Sequence, residues 1–205
     1  SCIMAIDFHL TLIRHLPTLA NVERRYIGWS DESINQSSNV DNQAILSPKN
    51  IYGSDLKRCQ QTAALFYPKS SYQGSPAFRE MSFGDWELKT YEDLKEDFIY
   101  QKWLSNPDLV SPPNGEFLHQ MAARVLFGLK NIPCNQPIVV THGGPIRYVL
   151  HKFAPDERNF WLWNVKHGDK WTLRWDSRKC FEEEKRCKSI SVERITESER
   201  MSDNS

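Results

Sequence analysis

Leu12-Ile13-Arg14-His15 and Val139-Val140-Thr141-His142-Gly143-Gly144 decide how this chain folds. Each is a short apolar run that stops at a histidine, beside an arginine in the first and a glycine pair in the second. Such a run reads as a strand buried on both faces, as in a parallel sheet. Open α/β sheets bind ligands just past the carboxyl ends of such strands. Two of them side by side bring His15 and His142 to one mouth. Two imidazoles, an arginine and backbone N–H groups at a helix start make a site for a phosphoryl group.

With these runs, strands are expected at Leu10–Arg14, Asn50–Gly53 and Pro137–Thr141. Between them lie helical patterns. Ser54 or Asp55 is a candidate cap for a helix through Lys57, Gln61 and Leu65 toward Phe66, which Pro68 ends. Thr90 with Asp93 resembles a capping box for a helix with Leu94 and Phe98 on one face. Leu118, Met121, Val125 and Leu129 step by three and four, which predicts a helix from near Gly115. Pro145 fits the first turn of a helix after the glycine pair. Trp171–Trp175 and Ser189–Ile195 alternate and read as late strands, antiparallel at an edge. The charge-rich Lys179–Lys188 reads as a solvated loop, and Thr196–Ser205 as a disordered tail. The fold expected is α/β: a three-layer α/β/α sandwich with a mostly parallel central sheet and a helical cap over residues 90–131. One domain over residues 1–195 accounts for the chain.

Composition narrows the function. Among 205 residues Lys+Arg and Asp+Glu number 26 each, so the net charge is zero, which argues against a broad nucleic-acid surface. The aromatic group Tyr26, Trp29, Phe83 and Trp86 therefore reads as core or pocket wall rather than a base-stacking platform. No apolar run reaches membrane-spanning length, and no charged segment with a long apolar one opens the chain, so a cytoplasmic location is expected. The five cysteines (Cys2, Cys59, Cys134, Cys180, Cys187) lack a CxxC pair and read as reduced thiols, with no metal site. No GxxxxGK[ST] or GxGxxG loop is present.

Five segments, in order, resemble the histidine phosphatase superfamily, which includes cofactor-dependent phosphoglycerate mutases and alpha-ribazole phosphatases. The first is Leu12-Ile13-Arg14-His15 with Thr18, Asn21 and Tyr26–Asp31. The second is Ser54-Asp55-Leu56-Lys57-Arg58 with Thr62-Ala63, and the third Arg79–Glu87. Pro113-Asn114-Gly115-Glu116 and Thr141-His142-Gly143-Gly144 complete the set. The resemblance implies that His15 attacks phosphorus as a neutral imidazole and forms a phosphohistidine. Arg14 and Arg58 would grip phosphoryl oxygens in bidentate forks. Asn21 and the N–H of Gly143 would add neutral donors, and a protonated His142 would stabilise charge on the transferring group. Glu80 would protonate the leaving alcohol and then activate water, with Glu87 and Glu116 as rival carboxylates. The cationic side chains would do the shielding, without metal or cofactor. Thr18 and Thr141 stand open between phosphate contact and structural bonding, and His9, His119, His151 and His167 read as surface or core. The family's glycine after the nucleophile is here Leu16, which Pro17 pushes toward extended conformations, its backbone carbonyl still available.

The nearest branch by chain size and by the Tyr26–Asp31 and Phe83–Glu87 segments is the alpha-ribazole phosphatases of cobalamin biosynthesis. The substrate expected is a small phosphorylated metabolite, with neither nucleic acid nor membrane as partner. The alternatives are a phosphoglycerate mutase-type transfer, disfavoured by the short Glu80–Gly115 connection, and a non-catalytic phospholigand-binding module.

Overall fold

Strand β1 (Phe8–Arg14) buries alternate residues against different layers, which sets the architecture. Phe8, Leu10 and Leu12 join one core cluster, while Ile13 and Leu16 join another. In β4 (Ile138–Thr141) Val139 and Val140 split in the same way. A sheet with apolar clusters on both faces needs cover on both. The computed structural model describes residues 6–35 and 47–194. Its six-stranded sheet has the order β3-β2-β4-β1-β5-β6. β2 (Asn50–Ser54) pairs in parallel with β3 (Ser71–Ser75) and with β4, and β4 in parallel with β1. β5 (Lys170–Trp175) and the edge strand β6 (Ser189–Glu193) add antiparallel pairs. The mostly parallel α/β sheet matches expectation, including the late antiparallel edge.

Short α1 (Leu19–Val22) follows β1, and α2 (Lys57–Phe66) covers the Ile13 face through Cys59, Ala63 and Phe66. The other face receives α5 (Leu118–Lys130) through Met121, Val125 and Leu129, and α6 (Gly143–Phe153) through Ile146, Val149, Leu150 and Phe153. Between β3 and α5 lie α3 (Tyr91–Leu94) and α4 (Phe98–Ser105). There Tyr26, Phe83, Trp86, Tyr100 and Trp103 form one aromatic cluster, Tyr100 stacked on Trp103 and the other contacts edge-on or tilted, with the Tyr26 and Tyr100 hydroxyls 2.8 Å apart.

Several local expectations are corrected. Neither Ser54 nor Asp55 caps α2: its N-cap is Leu56, and Asp31 Oδ1 takes the Lys57 N–H at 2.8 Å from another part of the chain. The Thr90–Asp93 capping box forms, but Asp97 caps a second helix, and Phe98 is 66% exposed while Leu94 is buried. The helix expected from Gly115 begins at Leu118. The charged Lys179–Lys188 stretch is not all solvated: α7 (Arg178–Glu182), capped by Ser177, buries Phe181, and Cys187 is buried beyond it. Thr196–Ser205 and Ile195 lie outside the described residues. Among the described residues no helix is long and apolar enough to cross a membrane.

Candidate active site

β1 and β4 are parallel neighbours with Arg14 opposite Thr141, so the next residue of each strand is an imidazole. The His15 N–H bonds the Thr141 carbonyl at 3.0 Å, and the His15 and His142 ring centroids are 5.1 Å apart. Both rings are buried. His15 Nδ1 lies 2.6 Å from the Leu16 carbonyl oxygen. A carbonyl only accepts, so Nδ1 carries the proton and Nε2 of the neutral ring keeps its lone pair. Burial, then electrostatic coupling to His142, His167, Arg58 and Arg14, holds the His15 pKa well below the usual imidazole value. The ring that must attack is therefore neutral and of one tautomer. Leu16 avoids the left-handed region and is 1% exposed in the core, so leucine at this position costs the site nothing.

His142 sits with Nε2 2.9 Å from Ser54 Oγ and 3.5 Å from Cys59 Sγ, while its buried Nδ1 has no partner among the described residues. Burial and then Arg58 and Arg14 hold its pKa well below normal. In the free site burial and the two nearby cations favour the neutral ring; the expected protonation is one beside a bound phosphate. Burial pushes the Cys59 thiol up to about 12, so it remains an unreactive thiol.

Arg14 donates from Nη1 to the Val165 carbonyl at 2.6 Å, and its buried Nε has no partner among the described residues. Desolvation first and Arg147 second push its pKa down to about 10, which leaves it charged at neutral pH. Arg58 is fully buried, and its fork is partly committed within the protein: Nη2 bonds the Gly28 carbonyl at 2.6 Å and Nη1 that of Ser30 at 2.7 Å. Its Nε likewise has no partner among the described residues. Glu87 explains why Gly28 is there to hold it, since the carboxylate takes the N–H groups of Gly28 at 2.9 Å and Trp29 at 2.5 Å. A side chain at Gly28 would overlap the Met81 carbonyl.

Glu80 is seated on the start of α6. Its Oε2 accepts the Gly144 N–H at 3.0 Å and its Oε1 the Met81 N–H at 2.8 Å. A Cβ at Gly144 would overlap the carboxylate, so only glycine admits this close approach. The Glu80 carbonyl is fixed by Trp29 Nε1 at 2.9 Å and Arg124 Nη2 at 2.7 Å. The rival carboxylates are otherwise engaged: Glu87 as above, and Glu116 in a salt bridge to Arg124 at 3.0 Å. Gly143 is buried at the first turn of α6, and a Cβ there would lie 3.0 Å from Arg147 Nη1 and 3.2 Å from Arg14 Cζ, so both guanidinium groups pack over it. Asn21 commits its carboxamide oxygen to a capping box with Thr18, at 2.9 Å from the Thr18 N–H. Thr141 Oγ1 donates to the Phe78 carbonyl at 2.7 Å, which is structural bonding.

One residue that the sequence assigned to surface or core stands at the site. His167 Nδ1 bonds the His15 carbonyl at 2.9 Å, with ring centroids 5.1 Å apart. Burial first and Arg14 second push its pKa down to about 3. A cavity of about 250 Å³ opens on Arg14 and Glu80, with Asn21, Arg25, Gly144 and Arg147 completing its polar side; the imidazoles do not line it. Tyr26, Phe83, Trp103, Phe160 and Trp161 supply aromatic wall.

Comparison with known proteins finds similarity in sequence and in fold. The model of the histidine phosphatase superfamily (branch 1) matches residues 10–185. The chain is 32% identical over 175 residues to an adenosylcobalamin/alpha-ribazole phosphatase of Escherichia coli, covering 78% of this chain and 86% of that one. The alpha-ribazole phosphatase structure from Shigella flexneri superposes with a TM-score of 0.72 at 25% identity, over 83% of this chain and 92% of the other. A phosphoglycerate mutase structure from Thermus thermophilus does so at 0.65 and 31% identity, over 80% and 92%.

Proposed function

The chain belongs to branch 1 of the histidine phosphatase superfamily, and from that premise we infer that it hydrolyses a small-molecule phosphate monoester through a phosphohistidine on His15. The observation that carries this reading is the 2.6 Å bond from His15 Nδ1 to the Leu16 carbonyl, which leaves a neutral ring with Nε2 free to attack. Around it the unpartnered Arg14 Nε, Arg58 Nε and His142 Nδ1 are nitrogens suited to an anion.

In the first step Nε2 of His15 forms the P–N bond, the ester P–O bond breaks, and Glu80 in its acid form gives its proton to the leaving oxygen. In the second, Glu80 takes a proton from water as that water attacks phosphorus, the P–N bond breaks, and inorganic phosphate leaves. A bound dianion reverses the electrostatics at His142. The charge that Arg14 and Arg58 disfavour in the free site becomes favourable beside phosphate, so His142 takes up a proton when substrate binds.

The aromatic wall of the cavity suits a leaving alcohol with a flat ring. Alpha-ribazole phosphate, with its benzimidazole base, is the candidate that fits both this wall and the name of the Escherichia coli relative. The same reading keeps the protein in the cytoplasm with its thiols reduced. A turnover panel should decide, using alpha-ribazole phosphate, nitrophenyl phosphate and 3-phosphoglycerate. Inorganic phosphate should be released, and a quench that avoids acid should trap an alkali-stable phosphoryl group on the peptide containing His15. Interconversion of phosphoglycerates without phosphate release would make the protein a mutase. Stoichiometric binding with no turnover across the panel would make it a binding module.

A further inference from the structure

The segment from Trp163 to Asp169 grips the end of β1 at successive points. Its Val165 carbonyl takes Arg14 Nη1 at 2.6 Å. The Gly168 N–H bonds the Arg14 carbonyl at 2.8 Å, and the Asp169 carbonyl receives the Arg14 N–H at 3.1 Å. Gly168 has φ +80°, a turn that L side chains resist. Asp169 Oδ2 closes the turn on the Lys166 N–H at 2.8 Å. From this turn His167 reaches the His15 carbonyl, 152 residues away in sequence, at 2.9 Å. That carbonyl belongs to the His15–Leu16 peptide. The other side of the same peptide, the Leu16 N–H, donates to Thr62 Oγ1 at 2.9 Å, and Thr62 Oγ1 in turn donates to the Arg58 carbonyl at 2.7 Å.

We propose that His167 and Thr62 are positioning residues for the nucleophile, holding the His15–Leu16 peptide from its two sides so that the Leu16 carbonyl keeps the proton on His15 Nδ1. Pro17 already restricts Leu16 to extended backbone. With that restriction, the direction of the Leu16 carbonyl follows the plane of the peptide before it. If that plane turns, the 2.6 Å acceptor at Nδ1 moves away, and the ring gains both the other tautomer and freedom to rotate. Because a carbonyl only accepts, His167 must present Nδ1–H, a donor that asparagine reproduces and glutamine, one carbon longer, does not. The device does for this chain, with its bulky Leu16, what a fixed local backbone must do in any enzyme that attacks through Nε2. Its kinetic consequence rests on the phosphatase reading above; its structural consequence does not.

The experiment pairs a tautomer measurement with a burst. Nitrogen-15 NMR of the His15 ring reports the tautomer whatever the activity, and the phosphorylation burst with nitrophenyl phosphate, divided by its amplitude, reports the rate per competent site. In His167→Ala the His15 ring should lose its single Nδ1–H tautomer, and the burst rate should fall by up to about 10²-fold, the loss typical of a nucleophile displaced by about 1 Å. Inhibition by inorganic phosphate should change by less than about three-fold, since phosphate contacts remain. His167→Asn should restore both readouts, and His167→Gln should not; that contrast stands even if the alanine variant fails to fold. Thr62→Val should repeat the loss and Thr62→Ser should spare it. An unchanged tautomer and burst in His167→Ala, or equal behaviour of the Asn and Gln variants, would overturn the proposal. So would a large loss of phosphate affinity with no change of tautomer, which would make His167 a phosphate ligand instead. A wild-type protein that shows the predicted tautomer but never a burst would sink the phosphatase reading while leaving the clamp standing.

Discussion

Replacing Glu80 by glutamine tests the proton donor and its seat in one variant. Both carboxylate oxygens accept backbone N–H groups, from Met81 at 2.8 Å and from Gly144 at 3.0 Å. An amide offers one acceptor oxygen, so its NH2 must face one of those donors and that bond is lost. For a half-buried group the loss is about 1–2 kcal/mol, which in a chain of this length lowers Tm by roughly 2–8 °C. The chemical loss is larger. A positioned general acid contributes about 10²–10⁴-fold, or roughly 3–5 kcal/mol of barrier, but only where the leaving group needs a proton. An alkyl alcohol does; a nitrophenolate hardly does. The phosphorylation burst of Glu80→Gln should therefore fall by that factor for alkyl phosphates and far less for nitrophenyl phosphate, in a protein that remains folded. The burst is the right observable because water activation in the second step also uses Glu80. Glu87→Gln loosens the Gly28 and Trp29 backbone that seats Arg58, so it should slow both substrates alike. Glu116→Gln, on the Arg124 salt bridge, should do the same to a smaller degree. Equal burst losses for both substrates in Glu80→Gln would assign it to positioning. A leaving-group-dependent loss in either control, and not in Glu80→Gln, would move the acid to that residue.

Arg58→Lys keeps the charge but loses the bonds to the Gly28 and Ser30 carbonyls together with the planar fork. The kcat should fall by roughly ten-fold or more, and a fully active variant would place Arg58 outside the chemistry. Leu16→Gly restores the residue usual in the family but empties a side chain that is 1% exposed. It should cost about 3–5 kcal/mol, read as a fall in Tm, without speeding the burst. The pH dependence of stability follows from the buried imidazoles of His15, His142 and His167, whose pKa values all lie below the normal one, that of His167 at about 3. Below about pH 6.5 the unfolded chain binds a proton at each and the folded chain does not. Stability is therefore full above pH 6.5 and is lost as pH falls from there toward each folded pKa, by up to about 1.4 kcal/mol per pH unit and histidine. The depressed carboxylates Asp55, Asp93, Asp156, Glu183 and Glu184 act only at lower pH, so Tm between pH 7.5 and 5.5 reads the histidines. Inorganic phosphate should flatten that slope, and a flat profile without phosphate would contradict neutral buried rings.

The strands that carry the site were readable because burial on both faces leaves a plain mark in the sequence. Leu10–Arg14 and Pro137–Thr141 are apolar because each strand serves two layers. β3 left no such mark: it is an edge strand of sequence Ser-Tyr-Gln-Gly-Ser, mostly exposed, held by its ladder to β2. The α3–α4 break was missed for a different reason. Leu94 and Phe98 share helical spacing, but the Asp97 side chain bonds the Tyr100 N–H at 2.9 Å and starts a new helix whose first residue faces solvent. In Lys179–Lys188 the charges hid two buried residues, Phe181 in α7 and Cys187 beyond it. One apolar residue per turn is too sparse for periodicity to register.

At the site, what could be read in sequence was the identity of the charged side chains, and what could not was how each is held. Arg58 illustrates this: its type and place in the second segment suggested a free fork, whereas two carbonyls of the first segment already occupy part of it. The segments prove to be one interlocked structure. Asp31 caps the helix that carries Arg58, Asp55 pairs with Arg79 at 2.7 Å, and Trp29 holds the Glu80 backbone. Their recurrence together thus has a packing cause as well as a chemical one. His167 lay beyond reach because its partner is a backbone carbonyl, which any residue supplies and no side-chain pattern records. The nearest signal was Gly168-Asp169 just before β5, a turn that can only be understood once β5 is known to run antiparallel beside β1. That pairing brings residue 167 to the end of β1, and so a histidine with no motif of its own becomes part of the seat of the nucleophile.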